Sequence, residues 1–235
     1  MTIKPKIATK FKVCFLGLFS LLSNLSYSQD VHFSQSVVSI QQRNFAISNF
    51  YGSEFQVYSA YREQWGAIST PFQSSILGVN AKVSELSNGI KLFSGIQYFN
   101  DESGDGKLSI NQFSLNVAAA YELEDNLFLI GISNGFNLKQ FNANQLTFPE
   151  QYDRSIGGFN EKLGNGENLN NQKLSYWTLG LNLGWKKEIN KKWTIITGLS
   201  LDHLNQPNES FYNQAESLGI GLGIQGIAEY QLKKK

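Results

Sequence analysis

From residue 54 onward the chain alternates apolar and polar side chains with a period of two. The cleanest stretch is "KLSINQFSLNVAAAYEL", where Phe113, Leu115, Val117, Ala119, Tyr121 and Leu123 alternate with Gln112, Ser114, Asn116 and Glu122. Successive side chains of a strand point to opposite faces, so an extended chain here has one apolar face and one small or polar face. Two more such runs flank the lysine-rich "KKEINKK". In the first, Trp177, Leu179, Leu181, Leu183 and Trp185 oppose Tyr176, Thr178, Gly180, Asn182 and Gly184. In the second, Trp193, Ile195, Leu199 and Leu201 oppose Thr194, Gly198, Ser200 and Asp202. "LGIGLGIQGIAEYQL" closes the series, with Leu218, Ile220, Leu222 and Ile224 against Gly219, Gly221, Gly223 and Gln225. No comparable run with a 3.6-residue period follows residue 28, so the chain reads as all-β. The pattern predicts eight main strands near residues 54–65, 72–83, 90–100, 107–122, 127–138, 173–188, 192–204 and 217–232, and allows a further strand between Val37 and Phe50.

Several of these strands run to about a dozen residues, against about 5–6 in an average globular protein and about 9–11 for a tilted transmembrane strand. The connections alternate between short ("SELSNG", "EDN", "INK") and long (139–172 and 205–216). Outer-membrane barrels have this asymmetry, with short periplasmic turns and long outer loops. Trp177 and Trp185 lie eight residues apart on one face. That is roughly 26 Å along a strand and roughly 20 Å along the membrane normal at a tilt of about 40°, close to an apolar band of about 25 Å bounded by aromatic girdles. Trp193 is a third girdle candidate. Alternation alone fits the core of a soluble β-sandwich or lipocalin-like barrel equally well. Strand length, loop asymmetry and the small polar opposite face favour an antiparallel transmembrane outer-membrane β-barrel of about eight or more strands.

The N-terminus supports export. Lys4, Lys6, Lys10 and Lys12 precede the apolar "VCFLGLFSLL" and the small-residue "SNLSYSQD", the order of a secretory signal peptide. The expected organisation is therefore a signal peptide at 1–28 and a single barrel domain at 29–235. Ten apolar residues are too few for a spanning helix, which needs about 20. The only cysteine, Cys14, and all four lysines lie in the leader, so the formal charge of +1 turns mildly negative without it. Neither nucleic acid nor a strongly charged partner is implied. A mean hydropathy of −0.26 does not argue against a barrel, whose lumen and loops are polar. With 21 Gly, 4 Pro, 4 Trp, 10 Tyr and 17 Phe, the composition suits strands and tight turns.

Little in the chain suggests catalysis. "DESGDGKLSINQ" resembles a calcium loop at Asp101, Ser103, Asp105 and Gly106, but Gln112 stands where a bidentate Glu is needed and the flanks read as strands. A Gly-rich hairpin turn is the simpler account. His32 and His203 are remote from each other, and Asp202 and His203 point to opposite faces of a strand. No phosphate-cradling loop or nucleophile elbow occurs. The expectation is a protein that is not an enzyme, with no cofactor, metal or small-molecule substrate.

Several segments carry a family resemblance: "SQDVHFSQS", "AYREQWGAISTPFQS", "SGDGKLSINQFSLNVAAAYEL", "NANQLTFPEQYD" and "WTIITGLSLDHLNQPNESF". In this order they resemble the PorP/SprF family, outer-membrane proteins of Bacteroidota associated with type IX secretion. The resemblance implies an outer-membrane barrel, surrounded by outer-membrane lipid, that assists export or surface attachment of large adhesins and other cargo. In some members it also implies support of gliding motility. The implied partners are the secretion and gliding machinery and the adhesin-type cargo. The positions carried over are Asp30, Phe33, Ser34 and Gln35 of D-x-x-F-S-Q, Tyr61, Arg62, Gln64 and Trp65 of Y-R-x-Q-W, and His203, Asn205 and Pro207 of H-L-N-Q-P, in structural or partner-binding roles. Members usually continue with more strands after the last of these elements, whereas one predicted strand follows here, and "AEYQLKKK" lacks the closing aromatic that outer-membrane barrels commonly present. A small structural or permeability barrel unrelated to secretion is the alternative.

Overall fold

The computed structural model describes residues 41–51, 54–160, 162–166, 172–212 and 216–232. The expected signal peptide, and with it Asp30, Phe33, Ser34 and Gln35, lies outside the described residues. The elements are a short helix α1 (Phe45–Ser48) and ten strands: β1 (Phe55–Gln64), β2 (Phe72–Glu85), β3 (Lys91–Ser103), β4 (Leu108–Leu123), β5 (Asn126–Gln140), β6 (Tyr152–Asp153), β7 (Gly158–Phe159), β8 (Lys173–Glu188), β9 (Trp193–Asp202) and β10 (Gly221–Tyr230). Eight strands form one antiparallel sheet in the order β1-β2-β3-β4-β5-β8-β9-β10, while β6 and β7 form a separate small hairpin. Each of the eight predicted strands has its counterpart in this sheet. No described helix is long and apolar enough to cross a membrane.

The expected strand between Val37 and Phe50 is not present over its described part. Residues 41–43 and α1 are helical, and Asn49–Tyr51 form a 3-10 turn. Asn44 decides this locally. Its side chain accepts a hydrogen bond from the Ile47 amide at 3.1 Å, which caps the helix N-terminus and satisfies a donor that an extended chain would not orphan. Phe45, Ala46, Ile47 and Phe50 then come together and are buried with Phe93, Ala118, Ala120, Leu129 and Ile196, the main apolar cluster of the molecule.

All the sheet strands are joined in sequence order, so their connections fall alternately at the two ends of the sheet. Residues 86–90, 124–125 and 189–192 make short turns at one end; residues 65–71, 104–107, 141–172 and 203–220 make the other. At the short-turn end Glu124 adopts a φ of 53°, and Gly89 (φ 81°) donates its amide to the Leu86 carbonyl at 2.9 Å. α1 lies on one face of the sheet, toward this short-turn end, and packs against β4, β5, β8 and β9.

The helix is pinned across almost the whole sheet. Asn44 donates to the Leu183 carbonyl of β8 at 3.3 Å and to Gln225 of β10 at 3.1 Å, while Asn80 of β2 donates to Ser48 Oγ at 3.1 Å. Close approach requires glycine beneath it. A Cβ at Gly198 would overlap the Ile47 Cδ1 atom, and one at Gly184 would come within 2.8 Å of the Phe50 ring. The inner-face glycines that the alternation sets opposite Trp185 and Leu199 are therefore the seat of the helix.

Candidate functional surfaces

The two faces of the sheet have opposite chemistry, and their exposure is the reverse of a soluble sheet. A water-soluble sheet buries its apolar face and exposes its polar one. Here Phe113 is 53% exposed and Val117 48%, whereas their strand neighbour Asn116 is only 4% exposed. The same inversion holds on β8, where Trp177 is 59% exposed and Asn182 is 1%. The outward apolar face continues through Val57, Leu77, Ile96, Ile130, Ile132 and Leu222. An apolar surface on this scale marks contact with another apolar phase or a partner.

The outward face is bounded by two aromatic rows. Near the long-loop end, Tyr98, Phe113, Phe136 and Trp177 are direct cross-strand partners on β3, β4, β5 and β8. The rings of Tyr98 and Phe113 are 4.8 Å apart, and those of Phe136 and Trp177 are 4.9 Å apart. Near the short-turn end, Tyr121, Phe128 and Trp185 are partnered in the same way, with Trp193 and Tyr230 packed 4.8 Å apart beyond them. Trp185 also donates its indole N–H to Asn126 at 3.1 Å. On β4, β5 and β8 alike the two rows are eight residues apart, and side chains between them are Leu, Val, Ile and Ala, with Asn134 the polar exception.

Outside the α1 cluster the inner face is mostly polar, with Ile76 and Phe99, direct partners on β2 and β3, among its buried apolar side chains. Buried Gln97 accepts from Tyr58 at 2.8 Å, Asn182 donates to Ser133 at 2.8 Å, and Asn137 donates to Thr178 at 3.2 Å. Burial of such groups is tolerable because they bond to one another.

At the long-loop end, the four connections are tied in series. Thr70 donates to Asp105, joining the first to the second, and the Asn142 amide donates to the Gly106 carbonyl at 2.7 Å, joining the second to the third. Lys139 at the end of β5 pairs with Glu209 at 3.0 Å and lies 5.5 Å from the centre of the Phe211 ring, while Phe141 meets Phe211 edge-on at 4.7 Å. These contacts wall a cleft of about 450 Å³ lined by Phe72, Leu108, Phe141, Leu146, Phe148 and Phe211. In the β6–β7 turn, the Ser155 hydroxyl and amide and the Asn160 side chain hold the Asp153 carboxyl below its usual range.

The predicted motif positions separate into several structural roles. Tyr61 points outward and donates to Glu63 at 2.8 Å. Arg62 points inward to Ser74 at 3.4 Å, and Ser74 in turn donates to Asp101 at 2.6 Å. Gln64 closes the β1–β2 register opposite Phe72. Trp65 (φ 65°) turns the chain, its carbonyl accepting from Ile68 and Ser69, both at 3.0 Å, while its indole is exposed. β8 outruns β9, which pairs with it only from Leu181 to Glu188. Asn205 covers the edge left open, accepting from the Leu179 amide at 2.9 Å and donating to the Trp177 carbonyl at 2.7 Å. His203 (φ 58°) and Gln206 (φ 42°) make the turn that puts it there, and the Pro207 carbonyl accepts from Leu218 at 2.9 Å. The Y-R-x-Q-W and H-L-N-Q-P elements thus both lie at the long-loop end but on opposite sides of the strand order, so they do not converge on one site. Asp101 and Asp105 do not converge on a cation either, and no group of three potential metal ligands occurs among the described residues.

Sequence reasoning missed three features: α1, the β6–β7 hairpin inside residues 139–172, and the bonding that joins the loops. The Asn44 cap ahead of "FAISNF" was the available signal for the first. The family model "Type IX secretion system membrane protein PorP/SprF" matches residues 25–232. No curated protein and no solved structure matches the chain.

Proposed function

Because the chain belongs to the PorP/SprF family of type IX secretion system membrane proteins, we propose that it is a non-enzymatic accessory protein of that system in the outer membrane, where it assists export or surface attachment of large adhesin-type cargo. The single observation that carries the membrane placement is the exposed apolar face bounded by two aromatic rows, with the polar face turned inward. An outward apolar band with aromatic girdles and a polar interior is how a barrel wall meets lipid. In this proposal Trp177 marks the outer rim, and Trp185 and Trp193 mark the periplasmic rim. The barrel domain follows a cleaved leader at residues 1–28.

The long-loop end is then the outer surface and the site of cargo contact. Its loops are joined to one another and present an aromatic cleft, which suits holding or presenting a protein segment. Support of gliding motility would follow where the cargo is a motility adhesin. The alternative of a simple permeability barrel fits less well, because α1 with Phe45, Ile47 and Phe50 fills the inner face near the short-turn end.

The test is disruption of the gene, followed by protease shaving and whole-cell immunolabelling of a large adhesin-type cargo of the same cell. The proposal expects the adhesin to disappear from the surface and accumulate inside the cell. Normal surface display in the disrupted strain contradicts it.

A further inference from the structure

The outward face of the sheet is not level. A groove of about 930 Å³ crosses it on the short-turn side of its middle. The floor is the backbone of one cross-strand row, Ala120 on β4, Leu129 on β5, Gly184 on β8, Gly198 on β9 and Gln225 on β10, each the direct partner of the next. At about 4.8 Å between strands, this row is about 19 Å long. Its own side chains point inward, toward α1, so the neighbouring outward residues make the walls. On the long-loop side stand Ile130, Leu183, Leu199 and Ile224. On the short-turn side Tyr121, Phe128 and Trp185 stand over β4, β5 and β8, and the wall then drops at their cross-strand continuation, Thr197 and Gly226. A Cβ added at Gly226 would meet nothing within 4 Å.

With this face in lipid, the reading on which this inference rests, the groove lies in hydrocarbon close to the rim. A hollow left empty there forfeits the contacts of its lining, and a mostly apolar lining offers water too few partners. The gap in the wall shows what enters. Toward the rim from Thr197 and Gly226 the next outward positions are Ile195 and Ala228, and Lys187 of β8 stands directly across from Ile195. Lys191 and Lys192 follow in the turn, both exposed. "KKEINKK" carries four lysines against one glutamate. Lys186 points inward, its Nζ 3.5 Å from the Phe50 carbonyl, while the other three form no ion pair among the described residues. Glu124 and Asp125 belong to the neighbouring turn, and Glu229 is an inward position of β10.

We propose that the groove holds one anionic phospholipid of the periplasmic leaflet. Its phosphate meets Lys187, Lys191 and Lys192, and an acyl chain passes through the gap at Thr197 and Gly226 to lie along the floor row. Each half of this arrangement selects for the other. A neutral lipid fits the groove and leaves the lysines without a partner, whereas a free anion suits the lysines and leaves the groove empty. Trp185, which donates its indole N–H to Asn126 at 3.1 Å, is held as the wall beside the gap. A lysine close to an anionic headgroup is worth roughly a five-fold gain in binding.

The test uses protein carrying Trp65→Phe and Trp177→Phe, which keeps Trp185 in the wall and Trp193 at the rim. It is folded into phosphatidylcholine vesicles that contain a rising fraction of phosphatidylglycerol brominated on its acyl chains or, in a parallel series, of brominated phosphatidylcholine, and quenching of tryptophan fluorescence is read. The proposal expects half-maximal quenching at a fraction of the brominated phosphatidylglycerol at least roughly ten-fold below that of the brominated phosphatidylcholine. Adding Lys187→Gln, Lys191→Gln and Lys192→Gln together should bring the two series into coincidence. Gly226→Leu and, independently, Thr197→Leu fill the gap and should abolish quenching at low fractions. Coincident series before these changes overturn the proposal, and are the outcome expected if a protein segment is the true occupant of the groove. So does a preference that survives the lysine changes, or one that survives both gap-filling variants. Quenching by both lipids only at high fractions leaves the membrane placement standing and overturns this inference alone, whereas no quenching by either lipid overturns both.

Discussion

Val117→Arg is the perturbation for which lipid and water predict most different outcomes. Val117 stands on the outward face of β4, four residues from Phe113 and four from Tyr121. At about 3.3 Å per residue it is roughly 13 Å along the strand from either aromatic row, or about 10 Å along the normal at a tilt of about 40°. That is close to mid-bilayer. The side chain is half exposed, so in water an arginine there has room to hydrate and changes stability by only about 0.5 kcal/mol. At mid-bilayer depth the same arginine costs about 2–4 kcal/mol, while one at the interface costs about 0–1. At about 1.4 kcal/mol per decade, the mid-depth cost lowers the folding equilibrium constant roughly 30- to 700-fold. The assay is reversible urea unfolding in phospholipid vesicles, followed by tryptophan fluorescence and by the gel-mobility shift of folded barrels. Tyr121→Arg, at the row itself, is the depth control and loses no more than about 1 kcal/mol. The reasoning is refuted if Val117→Arg matches the wild type within error, or if the two variants lose the same amount.

Further outcomes follow from the inner face and the loops. Gly198→Val drives a branched side chain into the Ile47 position and should cost about 1–3 kcal/mol by overpacking, whereas Gly226→Ala, with nothing near its added carbon, should leave the urea midpoint almost unchanged. Asn205→Ala removes two bonds from the β8 edge, each worth about 0.5–1.5 kcal/mol net; faster hydrogen exchange at the Leu179 amide is the readout. The Asp153 carboxyl has a depressed pKa, caused first by the Ser155 hydroxyl, so the order it lends the β6–β7 turn is fully present above the ordinary Asp value of about 3.9 and is lost only as pH falls through the lower folded value. Hydrogen exchange or NMR of the Ser155 amide should show this, and Ser155→Ala should move the loosening to higher pH.

The strands were legible because period-two alternation is a local property that exposure in lipid does not alter. Phe113 through Leu123 read as one face from the sequence, and that face is the outward one in the structure. The short and long connections also followed from strand spacing. The helix did not follow. "FAISNF" is too short to show a 3.6-residue period, and its conformation is fixed by the Asn44 cap and by glycines some 140 to 150 residues away, which no local pattern reports. Ile196 and Leu129 illustrate the same blindness. Both point to the polar face, and only the helix lying over them explains why an apolar side chain belongs there. The motif positions were legible as unusual but not as sites, and the structure gives Trp65, His203 and Asn205 turn-forming and edge-covering roles. Of the aromatic rows, sequence spacing revealed Trp177 and Trp185, while the registers that align Phe113 with Phe136 and Tyr121 with Phe128 required the sheet.

The most direct test of the central claim is a single-cysteine scan of residues 113–121 in Cys14→Ser protein embedded in membranes, comparing a water-soluble maleimide with a lipid-confined one. With the outward face of β4 in lipid, cysteines at Leu115, Val117 and Ala119 react with the lipid-confined reagent alone, and those at Ser114, Asn116 and Ala118 do not react with it. Ready labelling of 115, 117 and 119 by the water-soluble reagent would mean that this face meets water or another protein surface, and would contradict the account.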